Sequence, residues 1–187
     1  MYYLTVKYIN KLPKKFKMSD TLLLNADAQP VSLLPLSTIS WQDAIRYLVL
    51  EKVEVLAWHE DWIVRSANWQ TRVPAIVILK EYFKKKTYVR LTKRNVFLRD
   101  EYLCQYCGIE CGADATLDHV IPFSKGGRST WDNLSTACKH CNYLKADKTK
   151  MKPKRKPYRP DYWELTEKRR KFGFHMRHPS WADYLNT

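Results

Sequence analysis

The alternation of apolar and polar positions predicts the first elements. Leu22-Leu23-Leu24-Asn25 reads as a buried strand, residues 25–30 as a turn ending at Pro30, and residues 31–36 as a second short extended run. Ser40 opens a helix: Asp43 follows three residues later as a capping-box partner, and Trp41, Ile45, Leu48 and Val49 fall on one face. Residues 53–58 and 75–79 alternate as two further strands, the latter arriving after Pro74. Residues 1–20 form a lead-in with one strand, mixing Lys14, Lys15 and Lys17 with Pro13. Trp41, Trp58, Trp62 and Trp69 are assigned to packing and His59 to a surface or cap position.

Thr92 predicts the N-cap of a short helix that turns Val96 and Leu98 inward and Lys93 and Arg94 outward. Residues 116–122 alternate as a strand presenting Asp118 and His119 on opposite sides near its end. Residues 123–133, with Gly126 and Gly127, make a loop, and residues 134–148 a helix entry, by strand or turn, and then a helix. Pro153, Pro157 and Pro160 keep the following stretch extended; residues 161–172 recover a helix, and Ser180 caps a last turn holding Trp181 and Tyr184. The chain therefore divides into an N-terminal α+β domain (residues 1–91), a central module (92–150), and a basic arm with a docking segment (151–187), giving an α+β fold class.

Charge adds a partner to this picture. Residues 1–78 carry 9 Lys+Arg against 7 Asp+Glu, whereas residues 79–187 carry 24 against 12, so nearly all of the +14 net charge lies in the second half. Such asymmetry is the footprint of a polyanionic partner, and DNA is the one expected. Lys93, Arg94, Arg128, Lys145 and Lys148 are the candidate phosphate contacts. No apolar run reaches the roughly 18–20 residues of a membrane span, and the start lacks a signal-peptide layout, so a soluble, cytoplasmic protein with no membrane partner is expected.

The cysteines add a metal. Four of the five form two pairs, Cys104/Cys107 and Cys138/Cys141, in a C-x2-C-x30-C-x2-C arrangement. Paired knuckles of this kind supply four thiolates to one tetrahedral Zn²⁺, and in a reducing compartment they favour metal over disulfides. Gly108 follows the first knuckle, where a tight metal turn takes a positive φ. Cys111 is left over as a small hydrophobe.

The elements Leu-Asp-His-Val-Ile-Pro (117–122), Gly-Gly (126–127), Asp-Asn-Leu (132–134) and Cys-x-x-Cys-Asn-x-x-Lys (138–145), in this order inside the paired knuckles, resemble the HNH endonuclease family over about residues 92–150. The resemblance implies a ββα-metal module holding one divalent ion against the scissile phosphate. By position it makes His119 the general base, Asp118 a metal ligand, Asn133 the middle asparagine that fixes the loop, and Asn142 the third motif residue. Asn142 departs from the histidine of the family's name, a His-Asn-Asn variant. Mainly oxygen ligands then remain, which suit Mg²⁺ or Mn²⁺. Stretches similar to residues 21–91 precede the motif in stand-alone members.

The chemistry agrees with the resemblance. Phosphodiester hydrolysis needs an activated water, stabilisation of charge on the phosphoryl oxygens, and help for the leaving oxygen. Asp118 and Asn142 can place a hard cation, His119 can take the water's proton, and Asn133 can tie the loop so that the imidazole is aimed. Two alternatives stay open: a non-catalytic zinc-knuckle module that binds nucleic acid through the basic arm, and a zinc-stabilised protein-interaction domain. Neither needs the Asp118, His119 and Asn142 set.

Overall fold

A computed structural model describes residues 20–85 and 87–185; the lead-in expected over residues 1–20 lies, apart from Asp20, outside the described residues, as does Lys86. The described chain forms two compact units, residues 20–85 with 175–185 and residues 87–174.

In the first unit β1 (Thr21–Leu24), β2 (Thr38–Ile39), β3 (Val53–Arg65) and β4 (Gln70–Leu79) make a four-stranded sheet in the order β2-β1-β4-β3, with α1 (Trp41–Val49) between β2 and β3 in the chain. β1 runs parallel to β4, pairing Leu22 with Ile76 and Leu24 with Ile78, and the other neighbours are antiparallel. Leu22, Leu24, Val73, Ile76 and Val77 are fully buried, because β1 and β4 are the interior strands and present apolar residues on both faces. α1 starts on the expected capping box: Ser40 Oγ accepts from the Asp43 amide at 3.1 Å and donates to the Asp43 carboxylate at 2.8 Å.

The boundaries differ from the pattern in two places. The short strand that follows β1 is Thr38–Ile39 and not residues 31–36, where the chain turns back with Leu33 bridging Leu36 and Pro35 offers no amide to a ladder. β3 and β4 run well past the expected 53–58 and 75–79, because register shifts between Val55 and Ile63 break the alternation that would mark a longer strand.

The C-terminal segment completes this unit. A 3-10 turn (Pro179–Trp181) leads into α5 (Ala182–Leu185), and Trp181 is fully buried with its indole N–H donating to the Ala75 carbonyl at 2.9 Å. The cap of the turn is His178, not Ser180: His178 Nδ1 accepts from the Ser180 amide at 3.3 Å. The His178 ring lies edge-on to His59, centroids 4.9 Å apart, and Arg177 reaches Asp20 at 3.0 Å. Burial, then repulsion from His59, holds the His178 imidazole below its ordinary 6.5, with Glu60 opposing. The folded state thus binds the proton less well than the unfolded chain, so the stability associated with His178 is present above about pH 6.5 and is lost as pH falls through the lowered value. The melting temperature of wild type should drop between pH 7.5 and 5.5, and His178→Asn, which can still cap the turn, should flatten that drop; parallel curves would remove the assignment.

The second unit holds α2 (Lys93–Arg99), β5 (Thr116–His119), β6 (Leu134–Ala137), α3 (Lys139–Lys145) and α4 (Tyr162–Lys171). β5 and β6 form an antiparallel hairpin in which Thr116 faces Ala137 and His119 faces Leu134. Thr92 caps α2 and Asp161 caps α4, each side chain accepting an amide three residues on. Val96 and Leu98 are buried as expected, and so is Arg99 from the basic stretch. All five Arg99 N–H groups are used: a bidentate pair with Asp100 (2.8 and 3.0 Å) and the carbonyls of Trp131, Tyr158 and Leu134. Asp100 also accepts from the Thr136 amide. One guanidinium thus ties α2, the loop before β6 and the basic arm together. The arm, residues 151–160, is free of helix and lies against the first knuckle, Lys154 N–H donating to the Gln105 carbonyl at 2.7 Å. No helix among the described residues is long and apolar enough to cross a membrane.

Candidate functional site

The cysteines converge first. The sulfurs of Cys104, Cys107, Cys138 and Cys141 all lie within 4.8 Å of one another, close to the spacing of roughly 3.8 Å that four Zn–S bonds of about 2.3 Å impose on a tetrahedron. Gly108 takes φ +91° at the first knuckle, and Cys138 caps α3 through its sulfur, accepting the Cys141 amide at 3.3 Å. Burial pushes the Cys104 thiol up, but backbone amides of Cys107, Cys138 and Tyr106 outweigh it and bring it down to about 6, so one thiolate is present at neutral pH. Burial and the neighbouring sulfurs drive Cys141 strongly upward, a penalty on negative charge that a bound dication reverses. Cys111 lies beside them in the buried cluster with Phe97, Tyr106 and Ala137; burial and the other sulfurs raise it to about 11, as befits an inert thiol. The donors therefore fit Zn²⁺ with all four positions closed, a structural site.

This clip sets α3 across the hairpin. Thr116 and Asp118, two residues apart on β5, face it: Asn142 Nδ2 donates to Thr116 Oγ1 at 3.1 Å, and Lys145 Nζ donates to Asp118 Oδ1 at 3.1 Å and to the His119 carbonyl at 2.6 Å. Asn142 Oδ1 has no hydrogen-bond partner among the described residues. Asp118 is 5% exposed and its other oxygen accepts from the Tyr106 hydroxyl. Burial, then the Asp118 carboxylate, pushes that phenol far above its ordinary value and keeps it a donor. Lys145 is thus not at the surface where a phosphate contact would place it: it is fully buried, its charge spent on Asp118, because a position three residues beyond Asn142 on α3 points into the hairpin.

His119 points the other way from β5, half-exposed, with Nε2 2.9 Å from Ser129 Oγ and Phe123 alongside at 6.5 Å between centroids. Its loop is held by Asn133, 8% exposed, whose Oδ1 accepts the Ile121 amide at 2.8 Å and whose Nδ2 donates to the carbonyls of Ile121 and Arg128 at 3.1 and 3.0 Å. Gly126 takes φ +82°. At Gly127 a Cβ would lie 1.8 Å from the Ile121 carbonyl oxygen and 2.9 Å from Asn133 Nδ2. Gly127→Ala should therefore spring the Asn133 clamp, costing about 1–3 kcal/mol and misplacing Ser129 and His119; an unshifted melting curve would contradict it.

The structure thus brings Asp118, Asn142 and Lys145 to the α3 side of the hairpin and His119 to the loop side of the same strand end. Arg128, Lys148, Lys93 and Arg94 are exposed on the same unit. Tyr106, Thr116 and Ser129, each bonded to a motif side chain, were not singled out from the sequence. Tyr106 carried a signal, lying between the cysteines of the first knuckle and so fixed to the module.

A hairpin and helix clipped by four cysteines that fit Zn²⁺, with an Asp-His pair at the strand end and an asparagine on the helix, define a small ββα module. Comparison with known families gives the more particular assignment: residues 104–148 match the HNH endonuclease family, and residues 21–87 match the HNH endonuclease-associated N-terminal domain. The chain thus carries a match to each of these two families in sequence order, and the HNH match implies a nucleic-acid substrate. No curated protein matches it.

Proposed function

We propose that this protein is a metal-dependent endonuclease that hydrolyses DNA phosphodiester bonds within residues 92–150, using His119 as general base. The observation that carries the reading is the loop clamp: Asn133 bonds the backbone on both sides of the turn, and the half-exposed imidazole beside it has Ser129 as its one side-chain hydrogen-bond partner among the described residues, with Phe123 alongside. An imidazole held at one nitrogen and open at the other suits proton abstraction from water.

Asp118 and the free Oδ1 of Asn142 would hold Mg²⁺ or Mn²⁺, whose charge would stabilise the phosphoryl oxygens and leaving oxygen. The fit is one of donor chemistry, hard oxygens at a place that already stabilises a cation, the Lys145 ammonium. The Lys145 ammonium would yield Asp118 Oδ1 to such an ion, and the Tyr106 hydroxyl would keep the carboxylate in place. Arg128, Lys148, Lys93 and Arg94 supply the phosphate contacts.

One observation favours the second reading, a non-catalytic nucleic-acid-binding zinc module: both Asp118 oxygens are already partnered. The two readings separate on supercoiled plasmid. The zinc-loaded protein with Mg²⁺ or Mn²⁺ should convert it to nicked or linear form, EDTA should stop the conversion, Mg²⁺ but not Zn²⁺ should restore it, and Asp118→Ala should abolish the response. Binding with no conversion in either metal would leave the non-catalytic reading standing.

A further inference from the structure

Away from this site, the second unit carries an open cleft of about 330 Å³ whose walls include Thr87, Val89, Arg159, Asp161, Tyr162 and Trp163. Its size sits at the small end of ligand pockets, roughly 300–1,000 Å³, room for one planar ring system and little more. Val89 and Tyr162 are buried and supply an apolar floor, while Trp163 is 64% exposed, its indole standing edge-on against Tyr162 at 5.2 Å. An indole fixed at its base and open over most of its surface is a costly arrangement for a residue that merely packs.

Two charged groups give the cleft its selectivity. The Arg159 guanidinium lies over the ring of Tyr88, itself 65% exposed, at 5.1 Å, and pairs with no carboxylate among the described residues. A guanidinium held beside an aromatic ring by cation–π attraction keeps its N–H groups and planar surface available to a base or a phosphate. Asp161 has one oxygen committed to capping α4, accepting the Glu164 amide at 2.8 Å, which leaves the other as an acceptor at the cleft. A carboxylate there repels a phosphate group and accepts instead from the ring or amino N–H of a base.

We propose that this cleft binds one unpaired base of a DNA strand, stacked on Trp163 and Arg159 with its N–H edge toward Asp161. The inference rests on the nuclease reading for its partner and sharpens the substrate class: DNA with an unstacked nucleotide, at an overhang, bubble or branch. Stacking platforms beside basic residues are the usual means of holding single strands without reading much sequence.

The test is fluorescence anisotropy in a His119→Ala background, which prevents cutting, using a labelled single-stranded 15-mer and the duplex of the same sequence. Trp163→Ala should weaken single-strand binding about 10-fold and leave duplex binding within twofold; Trp163→Phe should recover most of the loss, and Arg159→Gln should reproduce part of it with Trp163 intact. Equal losses on both probes, or none on either, would overturn the cleft assignment. Zinc content and circular dichroism of each variant identify any that misfolds, in which case the Arg159→Gln comparison decides. Plasmid cutting by wild type is read separately, so failure of the nuclease reading and failure of the base cleft give different results.

Discussion

Replacing Cys104 with serine is expected to release the bound zinc and unfold the second unit, with loss of both DNA binding and cutting. The expectation follows from comparing two magnitudes. Thiolate zinc sites in small modules contribute apparent free energies of about 10–16 kcal/mol, while whole domains are stable by only about 5–15 kcal/mol. The buried cluster around the knuckles is small and includes the cysteines themselves, Cys104, Cys138 and Cys141 packed with Phe97, Tyr106, Ala115 and Ala137. Without metal, burial first, then hydrogen bonds among the sulfurs, drive the Cys141 thiol up and disfavour its thiolate. The change should be visible as loss of one zinc per chain by elemental analysis and disappearance of a cooperative melting transition. Retention of zinc and of that transition in Cys104→Ser would mean that the ligand set is wrong. Cys111→Ser offers the control, since Cys111 touches the cluster through packing and a weak contact to the Ile109 carbonyl, and the variant should keep its zinc.

His119→Ala should lower cleavage by about 100- to 10,000-fold, the range for removing a positioned general base, with zinc content and DNA affinity unchanged. The structure separates this effect from folding. The imidazole is half-exposed and its ring contacts are Ser129 and Phe123, whereas the backbone of His119 is held by pairing with Leu134 and by Lys145 on its carbonyl. Truncation therefore removes the base and leaves the strand end in place. Nicking at the wild-type rate in this variant would dismiss His119 as the proton acceptor. Ser129→Ala should give a milder loss, since it removes the group that orients the ring and leaves the ring itself.

Local signals explain what was legible in the residues. A cap, a knuckle or a tight turn is decided within three or four positions, so Ser40 with Asp43, Thr92, the two Cys-x-x-Cys pairs and Gly108 with its positive φ all stand where the pattern placed them. Asn133 was legible for a related reason: an asparagine closing a Gly-rich loop has the donor and acceptor to bind backbone on both sides, and it does so. The extended run at residues 31–36 failed because Leu33 and Leu36 bridge within the run itself, a short-range alternative that alternation does not exclude.

The sequence by itself determined that the second half is basic, that four cysteines stand in two knuckles able to hold a metal, and that a strand end carrying Asp118 and His119 enters a Gly-rich loop; these follow from composition and from local spacings. Only the tertiary structure decided which lysines and arginines are internal. Lys145 and Arg99 read as surface charge in the chain, yet each is fully buried against a carboxylate, Asp118 in one case and Asp100 in the other, that lies on a different element or needs carbonyls from distant ones to complete it. It also decided that the last residues belong with the first sheet, through Trp181 and the Ala75 carbonyl. The physical reason is the same throughout: a charge or an indole buried at low dielectric is held by partners that the fold brings from far along the chain, and no periodicity in the sequence records who they are.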